Sequence, residues 1–132
     1  MILVDSSVWI YYFKGLSTWQ TDSLDNILSN MPVLIGDLIL TEVLQGFKSK
    51  KDFETAKNYL NALPFCQIGG YDVAIRSAEN YRHLRKAGVT VRKTIDVIIA
   101  TFCIIKGMTL LHNDRDFEPM ESHFSLKTLT PP

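Results

Sequence analysis

The stretch Met1-Ile-Leu-Val-Asp-Ser-Ser-Val-Trp-Ile10 runs an apolar segment straight into an acid, adds two hydroxyls, and then resumes its apolar character. Residues 2–4 are too few for a helix and uniformly apolar, which suits a strand buried on both faces. Asp-Ser-Ser supplies the polar residues that open a helix, expected over residues 7–14. A buried strand that hands over directly to a helix is the repeating unit of a parallel sheet. The same stretch poses a chemical question, because Asp5 either caps that helix or holds something cationic. Ser6 and Ser7 are also able to cap, so the carboxylate is partly redundant for that task.

The pattern continues outward from this start. A second helix is expected over 18–30, opening at Ser17 or Thr18 and closing before Pro32. Val33 to Ile35 reads as a second strand. Gly36 and Asp37 then punctuate, with Asp37 capping a helix over 38–47 that sets Ile39, Leu40, Val43, Leu44 and Phe47 along one face. A helix over 51–62, a short third strand within 63–70, and a long helix over 72–87 stopped by Gly88 follow. Residues 94–106 form the most apolar helix, hydrophobic nearly all round before Gly107, and therefore buried. A strand at 109–111, a polar loop at 112–118 and an edge strand over 124–129 complete the chain. Strands separated by helices, never by tight hairpin turns, imply an α/β fold with a mainly parallel sheet covered on both faces. The 132 residues fit a single domain spanning 1–132.

Composition narrows the possible functions. Hydrophobic residues make up 46% and charged ones 21%, which is globular rather than disordered composition. No stretch reaches the ~18 uninterrupted apolar residues of a bilayer span, and the apolar start lacks a basic leader region, so the expectation is a cytoplasmic protein with no membrane partner. Two distant cysteines, Cys66 and Cys103, make neither a disulfide framework nor a thiolate zinc site. His83, His112 and His123 lack the spacing of helical metal ligands. Lys plus Arg and Asp plus Glu both number 14, so any nucleic-acid binding rests on a local patch and not on a global field.

In open parallel sheets ligands bind beyond the carboxyl ends of the strands. Asp5 follows the first strand there, and Asp114 and Asp116 follow the fourth. Asp96 lies in the first turn of the apolar helix, where an isolated carboxylate is costly unless paired, solvated or metal-bound. Each acid has a plainer explanation. Asp96 complements the helix dipole with Thr94 as cap, and Asn-Asp-Arg-Asp is ordinary turn chemistry. Glu42 falls opposite the apolar stripe of its helix, so a solvated face is its default. Taken together, carboxylates converging on one edge with few cations would repel one another, which favours a divalent ion. Oxygen donors without a Cys/His set point to Mg²⁺ or Mn²⁺, ions that meet substrates through phosphate oxygens, and metal-assisted phosphodiester hydrolysis follows.

Four segments together resemble a known family. Leu3-Val-Asp-Ser-Ser-Val-Trp-Ile10, Thr41-Glu-Val-Leu-Gln-Gly46, Thr94-Ile-Asp-Val-Ile-Ile-Ala100 and Leu110-Leu-His-Asn-Asp-Arg-Asp-Phe117 are similar, in order and spacing, to the PIN-domain ribonucleases, most closely the VapC-type toxins. The resemblance covers essentially the whole chain. It implies a three-layer α/β/α fold with a five-stranded parallel sheet, and a catalytic set of Asp5, Glu42, Asp96, Asp114 and Asp116. Asp5, Asp96 and Asp114 would hold Mg²⁺ or Mn²⁺, with Ser6, Ser7 and Asn113 in support and Asp116 as partner to Asp114. Glu42 enters chiefly on this ground. His112 departs from the small hydroxyl residue expected before this loop.

The family further implies an endoribonuclease acting on structured RNA (tRNA, rRNA or mRNA), a homodimer, and neutralisation by a cognate VapB-type antitoxin. Trp9, Tyr11, Tyr12, Phe13 and Trp19 are candidates for that partner's surface, although most aromatics of this kind belong to a core. Arg82, Arg85 and Lys86 at the end of the long helix, with Arg92 and Lys93 just before Asp96, are candidates for RNA phosphates. The principal alternative is a catalytically silent PIN-like module that binds nucleic acid or a partner. A haloacid-dehalogenase-like domain would place a second Asp two residues after the first, where Ser7 stands, and a dinucleotide-binding domain would need a Gly-rich first turn.

Overall fold

The computed structural model describes residues 1–132, in the order β1 (Ile2–Val4), α1 (Ser6–Phe13), α2 (Trp19–Asn30), β2 (Val33–Gly36), α3 (Asp37–Gln45), α4 (Lys50–Asn61), β3 (Phe65–Cys66), α5 (Tyr71–Lys86), α6 (Thr94–Lys106), β4 (Thr109–Leu111) and α7 (Glu118–Phe124). The strands lie in the order β3-β2-β1-β4. Every pairing is parallel, with Leu3 opposite Leu34 on one side and Leu110 on the other. β1 and β2 are buried along their whole length, as continuous apolar runs in a doubly covered sheet must be. α1 packs on α2 and α3, and α3 on α4. α5 and α7 pack on α6, so two groups of helices sandwich the sheet in a three-layer α/β/α arrangement.

α6 is the hydrophobic spine of its layer. Val97, Ile99, Ala100, Phe102 and Cys103 are all buried, and the helix ends at Gly107 in the left-handed region (φ 66°). The buried apolar side chains form one contiguous cluster that reaches from β1 to Leu126. No helix is long and apolar enough to cross a membrane.

Several sequence expectations are corrected. The sheet has four strands, not five. The segment expected as an edge strand over 124–129 makes only one parallel bridge, Leu110 to Thr128, with Leu110 N–H donating to Lys127 O (2.9 Å) and Leu129 N–H to Leu110 O (3.1 Å). It has no room to extend, because Phe124 ends α7, Ser125 turns in the left-handed region, and Pro131 and Pro132 lack backbone donors. The expected polar loop at 112–118 is instead a 3-10 turn at Arg115–Phe117 leading into α7, with Phe117 and Met120 buried. Pro119 near the start of α7 is already set to helical φ. Thr94 does not cap α6, since Lys93 occupies the cap position without a side-chain bond.

Asp37 does not cap α3 either. It is the first helical residue, and its Oδ1 accepts from Leu38 N–H and from Ile68 N–H, both at 2.9 Å. The carboxylate thus staples the segment after β3 to the end of β2. Gly36 makes the close approach possible, because a Cβ there would collide with the buried Ile68 side chain.

Candidate metal centre

The acids gather beyond the carboxyl ends of β1 and β4. Asp5 N–H donates to Leu111 O (2.9 Å), which holds the ends of the two strands together, and Asp5 occupies the N-cap of α1 with Oδ2 accepting from Ser7 N–H at 3.0 Å. The capping role is therefore real, but it uses one oxygen. Oδ1 is buried without a hydrogen-bond partner, on a residue only 3% exposed. Asp96, in the first turn of α6 and also 3% exposed, has the same defect at Oδ2. Buried carboxylate oxygens without donors are rare, and two on one edge fit a cation site.

The other acids close around them. Asp114 caps the 3-10 turn, with Oδ1 accepting from Asp116 N–H (2.9 Å) and Oδ2 from Lys93 Nζ (3.1 Å). Lys93 Nζ also lies 3.4 Å from Asp96 Oδ2, close enough for charge attraction but not aligned as a hydrogen bond. Arg92 Nε stands 3.7 Å from Asp116 Oδ1. Asp96, Asp114 and Asp116 each offer a carboxylate oxygen within 4.8 Å of the others. This tight set contains Asp116 where the sequence placed Asp5. Asp5 stands just behind it, near enough for its charge to act on both Asp96 and Glu42.

Glu42 does not project into solvent as its helical wheel implied. α3 packs on α1, and this turns the half-buried Glu42 towards Ser6, whose Oγ donates to Oε1 at 3.1 Å. A wheel reports the stripe of one helix and is blind to a second contact on its flank. Ser7 Oγ accepts from Asn113 N–H at 2.9 Å, tying α1 to the Asp114 loop. The two serines thus position acids and loop, each from one turn of α1.

Electrostatics show how unbalanced this edge is without a cation. Burial pushes the Asp5 carboxyl above its ordinary value despite hydrogen bonding from Ser7. Burial, then the Asp5 charge, raises Glu42. Asp96 is pushed up to about 7 by burial, with Lys93 opposing the shift and Asp5 and Asp114 adding to it. At Asp114 burial works in the same sense but is outweighed by the Asp116 N–H and Lys93, which hold it below the usual carboxylate range. Lys93 is raised, because its hydrogen bond to Asp114 and the Asp96 charge outweigh burial. Lys93 is shared by Asp96, Asp114 and Glu42 and does not act on Asp5, and Asp5, Glu42 and Asp96 all resist ionisation. The donor set, hard oxygens with two orphaned atoms, fits a divalent cation.

The candidate RNA contacts separate. Arg92 and Lys93 line an open cavity of about 560 Å³ with Asn113, Asp114, Arg115 and Asp116. Arg85 lies elsewhere, 5.8 Å over the Tyr81 ring, in a groove of about 400 Å³ between α5 and α6 that Arg82 also lines. Lys86 is exposed in the last turn of α5. Sequence reasoning missed Arg115, although its place between two motif acids was a signal. Of the aromatic candidates, Trp9 is fully buried and Tyr12 and Phe13 pack on it, while Tyr11 is exposed and Trp19 half-buried.

The comparisons with known proteins agree with this fold. The model of the PIN domain matches residues 2–121. A VapC ribonuclease of Mycobacterium bovis and ribonuclease VapC11 of Mycobacterium tuberculosis are each 31% identical over 120 residues, spanning 89% of this chain and 90% of theirs. The fold is shared with the crystal structure of VapBC2 from Rickettsia felis bound to a promoter DNA fragment (TM-score 0.78, 19% identity, 98% of each chain). It is shared as well with the Mycobacterium tuberculosis sarcin-ricin loop cleaving toxin VapC20 (TM-score 0.69, 14% identity, 90% of this chain and 94% of that one). The chain belongs to the PIN domain family and groups within it with the VapC ribonucleases.

Proposed function

We propose that this protein is a Mg²⁺- or Mn²⁺-dependent endoribonuclease, a VapC-type toxin that cleaves structured RNA in the cytoplasm and is neutralised by a VapB-type antitoxin. The observation that carries this reading is the pair of buried carboxylate oxygens that receive no hydrogen bond, Asp5 Oδ1 and Asp96 Oδ2, the latter with only the Lys93 charge 3.4 Å away, beside Asp114 and Asp116. Curated relatives named as VapC ribonucleases and structural neighbours solved as VapBC complexes support the activity and the partner. Asp96 and Asp114 would hold the ion with Asp116, whose oxygens converge with theirs, and Asp5 would add its unpartnered Oδ1, with Glu42 held near the site by Ser6. Bound there, a divalent ion supplies positive charge to the phosphate oxygens and makes a water more acidic. The chain itself holds the loop in register through Ser7 and offers Arg92, Lys93 and Arg115 along the adjoining cavity for the RNA backbone. Lys93, half-exposed and bridging Asp96 and Asp114, balances part of their charge, and with an ion held by those acids its flexible side chain would be free to meet a phosphate.

Two surfaces suit protein partners. A groove of about 580 Å³, lined by Ile10, Phe13, Val43 and Phe47 from α1, α3 and the segment after it, suits an apolar helix of the antitoxin. The α5/α6 groove, with Ala74, Ala78, Val97 and Ile98, suits a second copy of the chain in a homodimer.

The test is RNA cleavage by purified protein freed of antitoxin. Cleavage is expected with Mg²⁺ or Mn²⁺ and is expected to stop with EDTA; the same products in chelator overturn the metal mechanism. Expression of the wild type is expected to arrest bacterial growth, whereas the Asp5→Asn variant is not.

A further inference from the structure

The loop that carries Asp114 is fixed by side chains that are not themselves acids of the cluster. Asn113 N–H donates to Ser7 Oγ, and the next backbone donor, Asp114 N–H, is taken by His112 Nδ1 at 3.2 Å. A neutral imidazole that accepts at Nδ1 carries its proton on Nε2. That nitrogen faces Glu121 Oε2 on α7 at 3.5 Å. The other oxygen of Glu121, Oε1, accepts the Thr128 hydroxyl from the bridge beside β4. The His112 ring rests against the buried Phe117, with centroids 4.9 Å apart, and the side chain is 13% exposed. A continuous line of contacts therefore runs from the C-terminal segment, through α7 and an imidazole, to the main chain of a metal-facing acid.

We propose that His112 is a positioning residue of the metal centre, its Nδ1 fixing the Asp114 main chain and Glu121, anchored by Thr128, fixing the imidazole. The proposal rests on the metal-nuclease reading above. It also gives the departure from a small hydroxyl residue at position 112 a physical role. The imidazole accepts a backbone donor two residues on and reaches α7 with its other nitrogen. Partners that orient a ligand without touching the ion typically cost about 10- to 100-fold in metal affinity when removed. Asp114 feels the loss directly, because Oδ1 is already engaged by Asp116 N–H, and the backbone position together with the Lys93 hydrogen bond decides where Oδ2 sits relative to Asp96.

The competing explanation is packing alone, His112 serving as a plug against Phe117. Mn²⁺ titration of the intact chain without RNA, followed by electron paramagnetic resonance alongside thermal unfolding, separates the two. His112→Ala is expected to weaken Mn²⁺ binding about tenfold or more, and His112→Asn, whose amide oxygen falls near the place of Nδ1, to recover to within about threefold of wild type. Glu121→Gln is expected to fall between them. Ala binding as tightly as wild type, or Ala and Asn weakened equally, overturns the proposal in favour of packing. Should the Ala variant not fold, Asn must still bind Mn²⁺ more tightly than His112→Gln, whose amide lies at the Nε2 place, and equality or the reverse order overturns it. Wild type that binds no Mn²⁺ would bring down the metal centre itself, an outcome distinct from wild type and His112→Ala binding alike.

Discussion

β1 and β2 lie side by side, run in the same direction, and each hands the chain to an acid at the start of a helix, Asp5 in one case and Asp37 in the other. From sequence the two look equivalent. In the structure Asp37 spends one oxygen on two backbone donors, Leu38 and Ile68, and neither of its oxygens is buried without a partner. Asp5 spends one oxygen on Ser7 N–H and keeps the other buried, unpaired and close to further acids. The difference teaches that an acid at a strand end becomes a site when its surroundings leave negative charge uncompensated, not when its position alone is right. Asp37 is used as an acceptor, and an amide would serve as well. On the proposed metal reading Asp5 is used for its charge, and an amide would not serve.

Asparagine is therefore the discriminating substitution at both positions, and it carries the largest expected effect. Asp5→Asn keeps an acceptor for Ser7 N–H and so keeps the helix cap. It removes a charge from the proposed metal set, and cleavage is expected to fall by about 10³-fold or more, because a metal contributes several kcal/mol of charge stabilisation and each ~1.4 kcal/mol is tenfold in rate. Asp37→Asn is expected to leave both cleavage and melting temperature near wild type. Asp37→Ala, which strips the acceptor, is expected to destabilise by about 1 to 3 kcal/mol without changing cleavage per folded molecule. RNA cleavage assays with matched melting curves check all three. Near wild-type turnover in Asp5→Asn, or lost turnover in folded Asp37→Asn, would erase the distinction.

A second effect, smaller and opposite in sign, is expected in stability. Asp96 titrates near 7 in the metal-free fold, against 3.8 ordinarily, so the native state binds more protons than the unfolded chain between those values. Stability from this group is full below about pH 4 and is lost as pH rises through about 7. Asp5 and Glu42, both raised, act in the same sense. Metal-free protein is thus expected to melt lower at pH 8 than at pH 6, and Asp96→Asn to be more stable than wild type at pH 8 by about 1 to 3 kcal/mol while losing cleavage. Added Mn²⁺ should restore wild type and not the variant. A variant less stable than wild type at pH 8 would mean that Lys93 already compensates the charge.

How far all this was legible in the sequence depends on the range of the contact. β1, the long apolar α6 and the parallel order follow from local runs and from the lack of hairpin turns, and the acids after β1 and β4 share an edge because parallel strands end on one side. The helical wheel alone misplaces Glu42, which only the family resemblance puts among the acids, because its orientation is set by the packing of α3 on α1 and not by its own stripe. Asp37 reads as a cap from sequence because its second partner, Ile68, is remote along the chain. The fifth strand failed because one bridge next to a helix end and a proline pair cannot grow into a ladder. Of the line from Thr128 through Glu121 to His112 only the unusual residue at 112 shows in the sequence, since the three meet only once α7 has folded against α6 and the segment at Thr128 has bridged to β4.

The smallest effect is expected where a neutral group merely positions an acid. Ser6 and Leu38 each follow the acid at the end of their strand, and the two residues sharpen the same contrast on a finer scale. Ser6 Oγ donates to Glu42 Oε1 at 3.1 Å, and both groups are held by the packing of α3 on α1. Ser6→Ala removes one hydrogen bond to a charged group and almost no volume, so a loss of about 1 kcal/mol, roughly fivefold in cleavage rate, is expected with an unchanged melting temperature. Leu38→Ala should do the reverse, lowering stability through lost packing and leaving the rate per folded molecule alone, because Leu38 is a half-buried apolar side chain packed against the core. A Ser6→Ala loss as deep as that of Asp5→Asn would place the hydroxyl on the ion itself. No loss at all would mean that α3, not the serine, holds Glu42 over the edge.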